Sequence, residues 1–402
     1  MLNSTPYKLE PEFHQDPHTL YAELRHEPVR EVITTRGLKV WLVTGFDEAK
    51  AALADPTLSK DIRRGRDLMA RHQTTDMSRA FGVSEISAHM LNTDPPDHTR
   101  LRKLVNKAFT PRTIEPMRAR IAEISTDLLD AMAPLDEVDL LPAFAFPLPI
   151  TVICELLGVP GVNRDDFREW TSALVEATSV DSVREAGTAM ATYLLELIED
   201  KRANPAEDLL TELVHAGDDG DRLNAAELVS MVSLLLIAGH ETTVNLIANA
   251  VFALLRHPDQ LAALRADRSL LPGAIEELLR FDGPVNSVTL RFTTKPITLG
   301  GTVIPADEIV LVSAMAANHD PDHYPDADSL DITRDASGHL AFGHGIHFCV
   351  GAPLARMEAE IAIGALLDRY DVQLAVPAES LRWRQTMIRG LEKLPLRITP
   401  KR

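Results

Sequence analysis

Cysteine is nearly absent from this chain. Its 402 residues hold two, Cys154 and Cys349, far apart in the sequence. No disulfide framework is therefore available, and both thiols are expected to be unpaired in a reducing cytoplasm. Basic residues are also short, 41 Lys and Arg against 59 Asp and Glu, for a net charge of -18. So acidic a chain argues against nucleic acid and anionic membrane as partners, and makes any local basic stripe stand out. Internal repeats, low-complexity tracts and Gly/Ser linkers are missing. The first residues, Met1 to Glu12, are polar with two prolines, unlike a signal peptide or membrane anchor. Strand-like runs are few: Val40–Thr44, Thr289–Thr293, Thr302–Ile304 and Ile309–Val312.

What is there is helix. Hydrophobic residues make up 45% and charged residues 25%, a globular balance. Arg118–Met132 and Val183–Arg202 carry apolar residues at three- and four-residue spacing. The longest pattern starts at Asn224, a predicted N-cap with Glu227 completing a capping box, and stops at His257-Pro258. Its apolar stretch Leu228–Ala238 is followed by His240, Glu241, Thr242 and Thr243. A charge at a bilayer centre costs about 2.5–3.5 kcal/mol, so a buried central helix is the better reading than a membrane span. The expectation is one mainly α domain over residues 1–402, with a β-rich part from about 28–45 and 285–315 plus C-terminal strands. Cys154 lies in the apolar run Ile150–Leu157 and is expected to pack in the core.

Cys349 is different. Residues 342–351 read Phe-Gly-His-Gly-Ile-His-Phe-Cys-Val-Gly, a glycine-rich loop leading into a helix predicted from about Ala352. Gly343, Gly345 and Gly351 would let the backbone bend and approach a flat ligand. Amides at the helix start would lower the thiol pKa. Residues 238–243 read Ala-Gly-His-Glu-Thr-Thr at the middle of the long helix. Glycine costs about 1 kcal/mol there against alanine, so Gly239 needs a reason, and close approach to a ligand face is one.

The loop is similar to the heme-binding loop of cytochromes P450, Phe-Gly-x-Gly-x-His/Arg-x-Cys-x-Gly, with every fixed position filled. The resemblance implies heme b with Cys349 as the axial iron ligand, Phe342, Gly343, Gly345 and Gly351 in the loop, and His347 near a propionate. A thiolate ligand favours O–O cleavage. The helical hexapeptide resembles the family's oxygen-activation motif, which implies Ala238 and Gly239 against the heme, Thr242 as proton donor and Glu241 as its gate. His98 and Arg102, four apart on one helix face opened by Asp94-Pro95-Pro96, resemble the propionate clamp, and Arg291 matches another clamp position. Glu277 and Arg280 resemble a structural Glu-x-x-Arg pair.

The likeness runs from Trp41–Val43 to Met387–Gly390 and is closest to soluble actinobacterial enzymes that tailor macrolides and polyketides. It implies a triangular helical prism and insertion of one atom of O2 into a lipophilic small molecule, by hydroxylation or epoxidation. Rival readings are a peroxide-driven enzyme of the same fold, a steroid or terpenoid hydroxylase, and a non-catalytic partner protein. Substrate contacts are expected at Leu91, Leu235, Ala238, Val285, Val288, Met387 and Ile388. For an amino-sugar substrate only Glu85 offers a carboxylate, Asn92 being neutral. Electrons from NAD(P)H would arrive through ferredoxin reductase and a ferredoxin. No acidic residue occurs from His98 to Ile114, and Arg100, Lys103 and Lys107 form a basic stripe opposite His98 and Arg102, an expected docking face. The chain is expected to be a monomer.

Overall fold

The computed structural model describes residues 6–74, 85–160, 164–176, 179–215 and 223–401. Its centre is the helix Ala225–Arg256. Asn224 caps it, accepting from the Glu227 amide while the Glu227 carboxylate accepts from the Asn224 amide. Its length is about 48 Å at 1.5 Å per residue. Long and apolar enough to cross a membrane, it instead has 78% of its most apolar window buried within the protein. It packs against the helices Pro147–Leu157, Val180–Ala203 and Ala352–Arg369. Burial follows the helical period elsewhere too: Met117–Met132 hides Ile121, Ile124, Ser125, Leu129 and Met132. Cys154 is 0% exposed in the large core that these helices share, and neither cysteine is in a disulfide.

The β region forms beside this core. A six-stranded sheet runs in the order Tyr7–Lys8, Val29–Ile33, Lys39–Val43, Ile309–Val312, Arg291–Thr293, Leu58–Ser59. A three-stranded sheet joins Tyr370–Leu374, Pro395–Pro400 and Glu137–Asp139, and a hairpin pairs Ile297–Leu299 with Thr302–Ile304. Two expected strands are displaced. The Thr44 amide still donates to the Pro28 carbonyl opposite it, but Pro28 has no N–H to return a bond, so that strand is Lys39–Val43. The strand expected from Thr289 starts at Arg291, because the Thr289 hydroxyl and the Leu290 carbonyl take the Lys60 ammonium instead. The pairing of Leu58 with Thr293 and Ser59 with Phe292 brings Lys60 beside Arg291.

Candidate active site

The cysteine loop is set by local geometry. Gly345 has φ +73°, and a Cβ there would stand 2.9 Å from the Leu53 carbonyl oxygen, so a side chain is excluded twice. Gly351 has an ordinary φ of -83°, and a Cβ there would meet no protein atom within 4 Å. It is thus not needed for the bend, contrary to expectation, and leaves open space beside the sulfur. The Cys349 amide donates to the Phe342 carbonyl at 2.9 Å. Burial pushes the Cys349 thiol up, while the Gly351 and Ala352 amides, Arg102 and Arg356 pull the other way. The helix-start amides thus act in the expected direction but are outweighed by desolvation. A metal ion bound to the sulfur would reverse that balance, since coordination deprotonates a thiol.

Basic side chains converge next to the loop. The His98 and His347 rings lie 4.3 Å apart. His98 is 3% exposed and Arg291 5%, and neither His98 Nε2 nor Arg291 Nε has a hydrogen-bond partner among the described residues. Burial, then the charges of His98, Lys60, Arg291 and Arg102, push His347 down to about 2. Burial likewise brings Arg291 down to about 10. Crowded cations with unused donors need an anion. Two carboxylates at the edge of a heme supply one, so these residues fit that group. Sequence reasoning missed two members. Lys60 is 3% exposed, and His89, with Nδ1 unpartnered, is pushed to about 4 by burial and the Lys60 charge. Neither belongs to a recognisable spacing; each arrives by strand or loop placement. Arg102 extends to the cysteine loop itself, donating to the Phe348 carbonyl at 2.6 Å and to Asn106 Oδ1 at 3.1 Å.

On the long helix, Thr242 Oγ donates to the Ala238 carbonyl at 2.7 Å. Ala238 is exposed along the helix, and a Cβ on Gly239 would stand 3.0 Å from the Ile153 side chain of the helix Pro147–Leu157, so close helix packing also favours glycine there. Glu241 is 3% exposed and lies 3.6 Å from His240 Nε2 and 3.9 Å from Arg384 Nη1. Burial alone would raise its pKa, but His240, Arg384 and Arg168 hold it below the usual carboxylate value. A cavity of about 60 Å³ adjoins it, lined by Arg168, Ser172 and Arg384 among others. That volume has room for water among polar partners.

Glu277 and Arg280 are both 0% exposed and paired through two bonds of 2.7 and 2.8 Å. Arg280 also donates to the carbonyls of Asn318, Ala327 and Ser329, and the Asp331 amide donates to Glu277. The pair thus ties together the chain leading into the cysteine loop. Glu277→Ala is expected to cost about 3–5 kcal/mol, the loss from an orphaned buried charge. A denaturant midpoint within error of the parent protein would refute this.

The expected substrate contacts divide. A backbone bridge joins Val285 to Ile388, and both are half-buried, as are Leu91 and Val288. Met387 is 49% exposed. Leu235 is buried in the core and presents little surface to a ligand. The early part of the loop before His98, residues 75–84, and the Glu85 side chain lie outside the described residues. The basic stripe also divides: Arg100 is bound by Glu227 at the start of the long helix, while Lys103 and Lys107 are exposed.

A family model described as Cytochrome P450 matches residues 165–386. "Cytochrome P450 107B1" of Saccharopolyspora erythraea is 54% identical over 388 residues, covering 96% of each chain. This chain belongs to the cytochrome P450 family. The vitamin D(3) 25-hydroxylase of Pseudonocardia autotrophica is 48% identical, over 97% of this chain and 95% of its own. The solved structure of the tirandamycin C-bound P450 monooxygenase TamI superposes with a TM-score of 0.91 at 50% identity, over 98% of this chain and 100% of that one. The fold is therefore the P450 fold, the cofactor is heme b, and the chain is a monooxygenase using O2 and electrons from NAD(P)H through partner proteins.

Proposed function

We propose that Cys349 is the axial ligand of the heme iron, that His98, Arg102, Arg291 and His347 hold the propionates, and that the substrate is a macrolide or other polyketide. The observation that carries the site is the set of unpartnered donors on His98 and Arg291 beside a cysteine at a helix start. Heme with a thiolate ligand supplies the oxygen-activating chemistry. The chain's residues supply the rest. Thr242 offers a hydroxyl one turn beyond Ala238, and Glu241, drawing on the Arg168–Arg384 cavity, replenishes its proton. A peroxide-driven reaction would need no such route. The substrate class is supported by the macrolide- and polyketide-tailoring enzymes among the relatives and by the half-buried apolar Val285–Ile388 wall. A vitamin D(3) 25-hydroxylase among them favours a fused-ring lipophile as the second reading. A library screen for low-spin to high-spin shifts of the purified heme protein decides between them. Polyketide macrolactones should shift the spectrum, and a response confined to steroids would overturn the first choice.

Ferredoxin docking is proposed on the cysteine side. Lys103 and Lys107 flank Arg102, which reaches the cysteine loop, and Ile346 and Phe348 of that loop are 54% and 40% exposed. Arg100 is not included, being held by Glu227. Complementary charge acts mainly on encounter rate and weakens with salt. Lys103→Glu with Lys107→Glu is expected to slow stopped-flow reduction by an acidic ferredoxin about 3- to 10-fold at low salt, and much less at high salt. Substrate affinity should not change. Rates insensitive to both charge reversal and salt would remove this face.

A further inference from the structure

Lys60 is a buried lysine whose ammonium has only neutral hydrogen-bond acceptors among the described residues. It follows the short strand Leu58–Ser59, whose antiparallel pairing with Arg291–Thr293 continues toward Arg291. The side chain is 3% exposed. Its ammonium donates to the Leu290 carbonyl at 3.1 Å and to the Thr289 hydroxyl, both neutral acceptors. The nearby carboxylate, Asp94, is engaged by the Ser59 hydroxyl and by the Lys60 backbone amide at 2.7 Å. Around it stand further basic groups, Arg291 beside it, and His89 and His347, whose rings both feel its charge. Of these, Arg291 is a like charge and repels an ammonium, and neutral acceptors do not offset its lost hydration, so burial and then Arg291 push the Lys60 pKa well down.

An ammonium has three N–H donors, and two are used here. The third has no acceptor among the described residues, and in the same basic cluster His98 Nε2 and Arg291 Nε are buried without hydrogen-bond partners. We propose that Lys60 is an additional electrostatic anchor for the carboxylate edge of the heme, strengthening heme retention and raising the heme reduction potential. This rests on the heme site placed above. The sign follows from charge. With a thiolate and two propionates, the bound group is net negative, and an added electron makes it more so. A fixed positive charge nearby therefore favours the reduced form, and its removal lowers the potential.

The test uses the purified holoenzyme with Lys60→Gln, which keeps donors toward Thr289 and Leu290 without the charge, and Lys60→Arg, which keeps the charge. Two readouts are taken: the rate of heme transfer to excess apomyoglobin, and the ferric/ferrous midpoint from a dye-linked redox titration. Lys60→Gln is expected to lose heme about tenfold faster. It should also shift the redox equilibrium about tenfold toward ferric, which is 59 mV for one electron. Lys60→Arg should restore most of both. A purely structural lysine could loosen heme but would not lower the potential according to charge. Parent-like potential in Lys60→Gln, or equal shifts in the Gln and Arg variants, overturns the proposal. Should Lys60→Gln not accumulate as folded protein, Lys60→Met is read the same way. Failure of the underlying heme-site reading looks different: the parent protein itself would lack the thiolate-type carbon monoxide spectrum.

Discussion

Replacing Cys349 by serine is expected to abolish the red-shifted Soret band of the reduced, carbon monoxide-treated protein and to reduce monooxygenase activity below detection. As the proposed ligand, the sulfur would be the soft anionic donor to the iron, and a serine hydroxyl neither ionises near neutral pH nor donates electron density comparably. The loop around it should survive, because its hydrogen bonds come from backbone: Cys349 N–H to Phe342 O, and Arg102 to Phe348 O. Cys154→Ser is the control. Cys154 is 0% exposed among apolar neighbours, so a buried hydroxyl should cost about 1–3 kcal/mol of stability while leaving the spectrum intact. A band that survives Cys349→Ser and disappears with Cys154→Ser would reverse the assignment.

The parts that were legible in the sequence are those encoded within a few residues. The capping box at Asn224 and Glu227 names both its members and sits where spacing puts it. The cysteine loop and the hexapeptide at 238–243 are contiguous, so their likeness to a family could be seen without any structure. Lys60 was invisible for the opposite reason. Its strand has two residues, too few for a period-two pattern, and its meaning comes from pairing with residues more than 200 positions later. Arg100 shows the limit of a helical wheel, which places it on the outward face but cannot show that Glu227 of another helix is there to bind it. Gly239 stands out in the sequence as costly in a helix, but its tight approach to Ile153 is set by helix packing and is not visible there. The pull of the helix-start amides on Cys349 can be read from sequence, whereas the opposing desolvation cannot.

Thr242→Ala should leave heme content and substrate affinity near the parent values while the product formed per NAD(P)H consumed falls at least about tenfold, within the range for losing a positioned proton donor. The missing electrons should appear as hydrogen peroxide, each formed from one O2, two electrons and two protons. Among the described residues the hydroxyl bonds within its own helix, to Ala238 at 2.7 Å, so its removal breaks no hydrogen bond between elements, and a fold defect is not expected. Glu241, by contrast, lies beside His240 and Arg384 and adjoins the polar cavity, so it can still collect protons in the variant but has no hydroxyl to pass them to. Thr242→Ser restores the hydroxyl and should recover most of the coupling. That recovery separates the chemistry of the oxygen from the shape of the side chain, since serine lacks the methyl group. Coupling in Thr242→Ala equal to that of the parent enzyme would show that the hydroxyl is not required, and the proton route through Glu241 would have to end elsewhere.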